Sequence, residues 1–327
     1  MFSIVQNWIY ETLVQPLLFA GDLMSFSEIA FDGIEWFMVG VIEVIALAII
    51  LSIIEKRSPF AANVMEGLSP KEQKETRRLD IFYTLFHRLG VFPLIAFACL
   101  TPFIDGLEAQ LRLIGWSGIN IDQVLPGLTD IALVSLVIYL VLLDFADYWV
   151  HRAQHKFNWW WQLHAVHHSQ RFMTFWSDQR NHLVDDLLRD AVLAGIAIFI
   201  GVAPEQFISL VVVSRVLQSI QHANWDIKQS ALRMANGEMW CAIVNGFSRV
   251  FVGPRFHRVH HGIGIGHEGQ TFGVNFGVLF SFWDVIFRTA DFGSEPQPTG
   301  IRDQLTGRAY GSGFWSQQWF AVKRIFE

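Results

Sequence analysis

Histidine is the residue type whose number and spacing in this chain point to chemistry. Of the twelve histidines in 327 residues, ten lie between His151 and His261. One cluster has the spacing H-x-x-x-H from His151, and two have the spacing H-x-x-H-H, from His164 and from His257. Residues three and four positions apart lie on one face of a helix, so each cluster presents its imidazoles together. The ten candidate ligands are His151, His155, His164, His167, His168, His257, His260 and His261 in the clusters, with His182 and His222 standing singly.

Ten imidazoles exceed what one metal ion can bind. Two octahedral ions offer about twelve positions, which leaves about two for oxygen or water. A structural zinc site is closed by four ligands, and a metal-trafficking loop is a low-complexity tract without helical spacing. Imidazole suits iron, zinc, copper and nickel, and open positions on a redox metal point to dioxygen activation. We leave out His87, in an apolar stretch, and His267, in a glycine-rich loop.

Two carboxylates are spaced so that each could accept a hydrogen bond from the ring N–H of a histidine ligand, on the side of the ring away from the metal. Asp147 precedes His151 by four residues, so it would accept the second ring N–H of that histidine or else meet water at its helix end. Asp185 follows His182 by three residues and would do the same there. Glu43, in the middle of an apolar stretch, fits either a polar pair inside a helix bundle or a substrate channel.

The elements that must position these side chains are apolar helices. Apolar residues make up 52% of the chain and charged residues 17%, which excludes a disordered protein and disfavours a soluble enzyme. Three stretches are long enough to cross a bilayer, namely 36–54, 82–104 and 128–150. A fourth, 187–220, is typical of a hairpin of two helices broken at 201–204. Two shorter stretches, 239–252 and 274–287, suit interfacial or re-entrant segments.

Lysine and arginine residues orient these spans. Residues 1–37 contain none, the loop 55–80 contains six, and 105–127 contains one, Arg112. The positive-inside rule therefore places 55–80 in the cytoplasm. The third span and the hairpin return the chain to that side, so all ten candidate histidines are expected at the cytoplasmic mouth of the bundle. The N-terminal stretch lacks the basic region of a signal peptide.

The sequence predicts an all-α fold. We expect a polytopic transmembrane bundle of about four to five membrane helices with a cytoplasmic helical cap that carries a histidine-rich dimetal site. The expected organisation is a single membrane domain over 1–327, a catalytic region over 140–290 and a C-terminal cytoplasmic tail over 291–327. Aromatic residues within 159–176 either line a lipid tunnel or lie in the membrane interface. A net charge of −6 gives no reason to expect a nucleic-acid partner.

The histidine clusters resemble those of the fatty acid hydroxylase/sterol desaturase superfamily, which consists of integral-membrane, non-haem di-iron oxygenases. Residues 147–155 (DYWVHRAQH) are similar to the family's D-Y-x-x-H-R-x-x-H box. Residues 164–169 (HAVHHS) resemble its H-x-x-H-H-S box, and 253–261 (GPRFHRVHH) resemble its P-x-x-H-x-x-H-H box. The resemblance extends over about 140–290, and the set of motifs is highly specific.

Single residues match the family as well. His182, and His222 with Asn224, stand where the family has isolated R-x-H and H-x-N ligands, while Asn275 and Asp284 fall in its terminal N-[FY]-G and W-D-x-x-F-x-T signatures. Two features depart from the pattern: Gly-Val replaces the common Asp-Lys at 273–274, and the glycine-rich 262–269 segment after the third box is longer than usual. That segment contains G-x-G-x-x-G, but it follows a histidine box and not a strand, so it does not indicate a dinucleotide site.

The resemblance implies two iron ions held by all ten histidines, with O₂ as co-substrate. It adds Asn224, Asn275 and Asp284 to Asp147 and Asp185 as residues that support the ligands. The implied reaction is hydroxylation of an unactivated C–H bond of a fatty acyl, sterol or related lipid, with two electrons from an external donor of the cytochrome b5 or ferredoxin type. Cytoplasmic basic residues would dock that donor or simply follow the positive-inside rule: Arg152, Lys156, Arg171, Arg180 and Arg189.

Two other functions stay open. A desaturase uses the same ligands, and a membrane protein that binds or transports metal without catalysis is a second alternative. Transport ligands usually face each other at mid-bilayer, whereas ten of the twelve histidines lie beyond the predicted span ends. The expected location is the bacterial inner membrane, or the membrane of the endoplasmic reticulum in a eukaryote, with the site on the cytoplasmic side.

Overall fold

Helices form nearly all of the regular structure in this computed structural model, which describes residues 2–61, 68–116, 118–119, 121–128, 131–202, 204–264, 273–307 and 310–327. Within these ranges no β-strand occurs, and one isolated bridge joins Gly262 to Thr299. The α-helices are α1 (Phe2–Ile9), α2 (Gln15–Ala20), α3 (Ser27–Arg57), α4 (Pro70–Arg88), α5 (Val91–Leu113), α6 (Ile121–Val124), α7 (Ala132–Lys156), α8 (Asn158–His168), α9 (Leu183–Phe199), α10 (Pro204–His222), α11 (Ile227–Leu232), α12 (Gly237–Phe247), α13 (Pro254–His260), α14 (Phe282–Ile286), α15 (Arg302–Leu305) and α16 (Phe314–Ile325). A π-helical turn covers Tyr10–Val14, and 3₁₀ turns cover Met24–Phe26 and Phe175–Ser177. The all-α prediction is confirmed.

Three described helices are long and apolar enough to cross a membrane: the stretch Met24–Arg57 that includes α3, then α5 and α7. The first contains the predicted span 36–54, and α7 covers most of 128–150. The predicted span 82–104 is wrong in its bounds, because the chain turns between α4 and α5. Gly90 takes a φ of +90°, a left-handed conformation that favours glycine, so α4 ends at Arg88 and a new helix begins at Val91.

The predicted hairpin corresponds to α9 and α10. Gly201, with a φ of +72°, follows the end of α9, and Pro204 opens α10, where its missing N–H removes no helical hydrogen bond. α9 packs against α5 and α7, while α10 packs against α3, α7 and α13. Residues of α3, α5, α7, α9 and α10 line a cavity within the bundle.

α3 and α4 cross in close contact at Gly40. A Cβ atom there would lie 1.8 Å from the carbonyl oxygen of Arg88, so the approach requires glycine. The crossing brings Arg88 Nη1 to 3.0 Å from Glu43 and Nη2 to 2.9 Å from Asp178. All three side chains are buried. Of the two alternatives for Glu43, the structure therefore favours a polar pair inside the bundle.

The two short apolar stretches behave differently from one another. The segment 239–252 contains α12, which exposes Ile243 and Phe247, as an interfacial helix would. The segment 274–287 contains only the five-residue α14, and its first half is an irregular loop that is buried beside the histidines. Within 291–327, α16 packs on α8 and places Phe314 in a shared apolar core.

Candidate metal centre

Nine of the ten predicted histidines lie together in two groups. In each group the candidate ligand atoms lie within 4.8 Å of one another, and every member is buried. The rings of His168 and His261, one from each group, stack with centroids 4.3 Å apart, so the groups adjoin. The first group is His151, His155, His164, His168 and His260, and the second is His167, His222, His257 and His261.

Helix geometry explains why there are two groups. Consecutive residues on an α-helix point about 100° apart. The adjacent pair His167 and His168, at the end of α8, therefore diverges into different groups, and the pair His260 and His261 at the end of α13 does the same. Each H-x-x-H-H box thus contributes to both groups, whereas the H-x-x-x-H box on α7 serves only the first.

Backbone carbonyl groups orient two ligands of the first group. Nδ1 of His151 donates to the carbonyl oxygen of Phe276 at 2.8 Å, and Nδ1 of His260 donates to that of Val274 at 2.7 Å. Because a carbonyl oxygen only accepts, each Nδ1 carries the hydrogen and each Nε2 keeps its lone pair for a metal.

The loop that carries these carbonyls is itself held by two predicted residues. Asp284 accepts from the backbone N–H groups of Phe276 and Gly277, both at 2.7 Å. Asn275, at a φ of +60°, donates from Nδ2 to the carbonyl of Phe256 and accepts from the N–H of Asp291. Asn275 and Asp284 therefore support the ligands through the backbone and not by touching an imidazole.

The four Nε2 atoms of the second group converge. Nε2 of His222 lies 3.2 Å from that of His167 and 3.1 Å from that of His257, and Nε2 of His261 lies 3.1 Å from that of His257. Nδ1 of His222 donates to the carbonyl of Gln218 at 2.8 Å, which leaves its Nε2 as an acceptor. Four nitrogen atoms that meet at such distances could together hold a metal ion.

The carboxylate partners differ from those predicted. Asp147 does not meet His151 but forms a two-pronged ion pair with Arg189, in which Nε donates to Oδ1 at 2.7 Å. Asp185 accepts from Nδ1 of His164 at 2.9 Å, and not from His182. Asn224 bonds to the backbone instead: its Oδ1 accepts a hydrogen bond from the backbone N–H of Phe60 at 3.2 Å.

His182 lies outside both groups. Its Nδ1 accepts from the N–H of Val184 and caps α9, and its Nε2 donates to the carbonyl of Gln318 at 3.0 Å. Both ring nitrogens are therefore engaged, which departs from the prediction that it is a ligand. His87, which was left out of the site, pairs with Asp186 at 3.0 Å. His267 lies outside the described residues, as does most of the glycine-rich segment that contains it.

The electrostatics of the site keep the imidazoles neutral. Burial, followed by the neighbouring imidazoles, lowers the pKa of His167, His257 and His261 well below the usual 6.5. Neutral imidazole is the form that binds metal. Nε2 of His164 is buried and has no hydrogen-bond partner within the described part of the chain, although Asp185 holds the opposite nitrogen. A buried acceptor left open in this way fits a metal ligand.

Two neighbouring cavities lie in the bundle, and the histidines line the smaller one. A small one of about 60 Å³ touches both groups, and a larger one of about 390 Å³ extends among α3, α5, α7, α9 and α10. Asp147, Arg189 and Gln218 line both, so these three residues form the wall between them. None of the tryptophans at 159–161 lines the larger cavity.

The residues that sequence reasoning missed act through the backbone or from another helix. The carbonyl groups of Val274 and Phe276 have no side-chain signature, although the N-F-G motif at 275–277 marks their position. Arg189, expected on the surface as a docking residue, is instead the partner of Asp147. Arg180 is buried, with its Nε 2.6 Å from Asp80, so both arginines are paired with acids inside the protein.

Comparison with known proteins gives a consistent pattern. The fatty acid hydroxylase family model matches residues 136–289. Ornithine lipid hydroxylase OlsE of Rhizobium tropici is 27% identical, with 86% of this chain and 74% of that protein covered. Methylsterol monooxygenase 1-1 of Arabidopsis thaliana is 26% identical over 63% of this chain and 67% of its own length. Alkylglycerol monooxygenase of Caenorhabditis elegans is 28% identical over 45% of this chain but a quarter of its own length. No solved structure matches.

Proposed function

Because the chain belongs to the fatty acid hydroxylase/sterol desaturase superfamily, we propose that it hydroxylates an unactivated C–H bond of a membrane lipid, with O₂ as co-substrate and two electrons from an external donor. It is an oxidoreductase and an integral membrane protein. The observation that carries the proposal is the pair of buried histidine groups, five in one and four in the other. Open positions beside so many imidazoles suit a redox metal pair that binds oxygen.

The residues present fit two metal ions. The first is held by the five histidines of the first group and the second by the four of the second group, so the proposed set has nine ligands. Iron, when bound, supplies the activation of dioxygen that no side chain of the chain can provide. Asp185 keeps the hydrogen of His164 on Nδ1, and the carbonyls at 274 and 276 do so for His260 and His151. These contacts keep Nε2 free of hydrogen and aim it inwards.

The larger cavity is the proposed place of the lipid. Its walls are mostly apolar, with Phe92, Phe97 and Leu143 among them, and its volume of about 390 Å³ lies within the range of ligand sites. Asp147, Arg189 and Gln218 separate it from the small cavity that the histidines line. A chain in this cavity would approach the metals from within the bundle, while the packed helices keep bulk water away.

The electron donor must dock from outside. The described part of the chain contains no dinucleotide-binding or flavin fold, since it has no parallel sheet. We propose a small acidic carrier of the cytochrome b5 or ferredoxin type on the cytoplasmic face, which is the face that the lysine and arginine distribution favours for the histidines. Whether the host membrane is a bacterial inner membrane or the endoplasmic reticulum, the orientation is the same.

A desaturase is the second candidate function. The superfamily uses one ligand set for both outcomes, and nothing in the histidine geometry separates oxygen insertion from loss of two hydrogens. The names of the relatives, an ornithine lipid hydroxylase and two monooxygenases, favour hydroxylation.

Metal content and lipid products test the proposal together. The purified full chain is expected to contain two tightly bound metal ions, with the stoichiometry being decisive because iron exchanges with zinc during preparation. Lipids from cells with the gene should contain a species heavier by one oxygen atom, which cells with the His168→Ala variant lack. A metal content near zero or one would refute the dimetal site. A product lighter by two hydrogens would identify a desaturase.

A further inference from the structure

The larger cavity is lined by two side chains of opposite charge that form no direct ion pair or hydrogen bond with a described residue. Six of its lining residues are ionisable: Asp32, Asp144, Asp147, Arg189, Asp190 and Arg215. Asp144 accepts from the backbone N–H groups of Leu279 and Phe280, and Asp147 pairs with Arg189. Asp32 is exposed. Two residues are left, Asp190 on α9 and Arg215 on α10.

The guanidinium of Arg215 forms no ion pair or hydrogen bond with any described residue. Its described aromatic neighbour is Trp36, whose ring centroid lies 6.0 Å away. The acids whose charges act most on Arg215 are Glu43, Asp190 and Asp178. Glu43 and Asp178 are both bound to Arg88, at 3.0 and 2.9 Å. Arg215 therefore lines a largely apolar cavity without a direct ion pair to any described acid.

Asp190 presents the opposite charge to the same cavity. Its carboxylate accepts no hydrogen bond and forms no ion pair with the residues that the structure describes, and it is not within 4.0 Å of Arg215. Its sequence neighbour Arg189 is committed to Asp147. The cavity thus has one negative and one positive group on neighbouring helices, held apart from each other.

An ionisable side chain inside a membrane bundle is costly unless it has a partner, and such residues mark ligand sites. We propose that Arg215 and Asp190 bind a zwitterionic amphiphile, with its anionic group (carboxylate or phosphate) on Arg215 and its ammonium group on Asp190. This inference rests on the proposed function and names the class of lipid that the cavity takes. A lipid with one charge would leave one of the two residues without a direct contact of opposite charge, and a neutral lipid would leave both without one.

Ligand binding tests this without any turnover. Five amphiphiles with the same sixteen-carbon chain would be titrated into the purified full chain in detergent micelles: Nα-palmitoyl-lysine, palmitoyl lysophosphatidylethanolamine, palmitic acid, hexadecylamine and monopalmitoylglycerol. At least one of the two zwitterions should bind about tenfold more tightly than neutral monopalmitoylglycerol. The zwitterion that binds more tightly shows whether the anionic group is a carboxylate, as in Nα-palmitoyl-lysine, or a phosphate, as in palmitoyl lysophosphatidylethanolamine. Equal affinity for the zwitterions and the neutral lipid would overturn the proposal.

Two isosteric variants assign the groups. Arg215→Gln should lose the preference for the zwitterion and for palmitic acid, and Asp190→Asn should lose it for the zwitterion and for hexadecylamine, each by about tenfold. The double variant Glu108→Gln/Arg112→Gln, which removes an exposed acid–arginine pair at 3.1 Å, should bind as the wild type does. Unchanged affinity in both single variants would refute the roles of these residues.

Two further measurements distinguish a misfolded variant from a folded one, and a failure of this inference from a failure of the proposed function. Retained binding of monopalmitoylglycerol and retained metal content show that a variant is folded, and the comparison of probes on the wild-type chain needs no variant at all. A chain that prefers zwitterions but contains no metal would refute the proposed function and leave this inference standing. A chain that contains two metals but does not prefer zwitterions would refute this inference and leave the proposed function standing.

Discussion

Oδ2 of Asp185 lies 2.9 Å from Nδ1 of His164, across twenty-one residues of sequence. The other oxygen of the same carboxylate accepts from Nε2 of Gln154 and Nε1 of Trp160, both at 2.7 Å. Three donors from α7 and α8 thus fix a carboxylate from α9, and the carboxylate in turn fixes the imidazole. This arrangement raises the basicity of the metal-facing nitrogen and holds the ring in place.

Asp185→Asn is therefore expected to weaken the first metal site. An amide in that place no longer carries the charge that favours the N–H of His164, so metal affinity should fall by about ten- to a hundredfold. Competition with a chelator, followed by metal analysis, measures the change. Asp186→Asn, which removes a neighbouring acid bound to His87, serves as the control and should keep both metals. Equal loss in both variants would contradict the specific role of Asp185.

The variant His182→Ala tests whether the metal site has nine histidine ligands or ten. Because both its ring nitrogens are used within the protein, we expect two metals per chain in this variant and a loss of about 1 kcal/mol in stability from the missing helix cap. His168→Ala, in contrast, should lower the metal content. Metal-to-protein ratios in the two variants provide the measurement. A metal deficit in His182→Ala would show that His182 is a ligand.

Asp284→Asn should disturb the ligands at a distance. Burial raises the pKa of Asp284 to about 6, yet its two oxygens accept from the N–H groups of Phe276 and Gly277 and from Oγ1 of Thr289. An amide would direct its NH₂ group at one of those donors and leave a buried N–H unpaired, at a cost of about 1–3 kcal/mol.

Since the displaced loop carries the acceptors for His151 and His260, this variant should lose affinity for the metal in the first group while the second metal stays bound. Sequential chelation followed by X-ray absorption at the metal edge distinguishes the two sites. Asp226→Asn, which alters a helix cap that accepts from Gln229, is the control. Simultaneous loss of both metals would argue for general unfolding.

We expect the ion pair between Asp147 and Arg189 to stabilise the fold and not to support a metal ligand. Asp147→Asn leaves a mostly buried arginine without its counter-charge, which costs about 3–5 kcal/mol, and metal content should be unchanged in the folded fraction. Adding Arg189→Gln should recover part of that loss, so the two effects should not be additive. Thermal unfolding of the single and double variants measures this, and strict additivity would refute the coupling.

Removal of the metals should destabilise the protein. The converging Nε2 atoms of the second group and the open Nε2 of His164 have no protein substitute for a metal ion. At a metal concentration about a thousand times its Kd, each site contributes about 4 kcal/mol. Dialysis against a chelator should therefore lower the unfolding temperature, and added Fe²⁺ should restore it. An unchanged unfolding temperature would show that the cage is stable without metal.

The sequence by itself selected the histidines that come together in the candidate site. Local rules were sufficient: the i, i+3 and i+4 spacing of each box, the apolar stretches and the position of the break between α9 and α10 are all properties of neighbouring residues. Nine of the ten histidines selected in this way lie together in the structure. The span at 82–104 was misplaced because apolar character alone does not show that Gly90 turns the chain.

Only the tertiary structure decided how the ligands are paired and supported. Asp147 lies one helical turn from His151 yet binds Arg189, and Asp185 follows His182 yet binds His164, because an arginine or imidazole from another helix is closer than the neighbour along the chain. His182 has the right residue type in the right motif, but its position at the start of α9 uses both of its nitrogens. Charge neutralisation inside a bundle depends on which helices meet, and spacing along one helix does not contain that information.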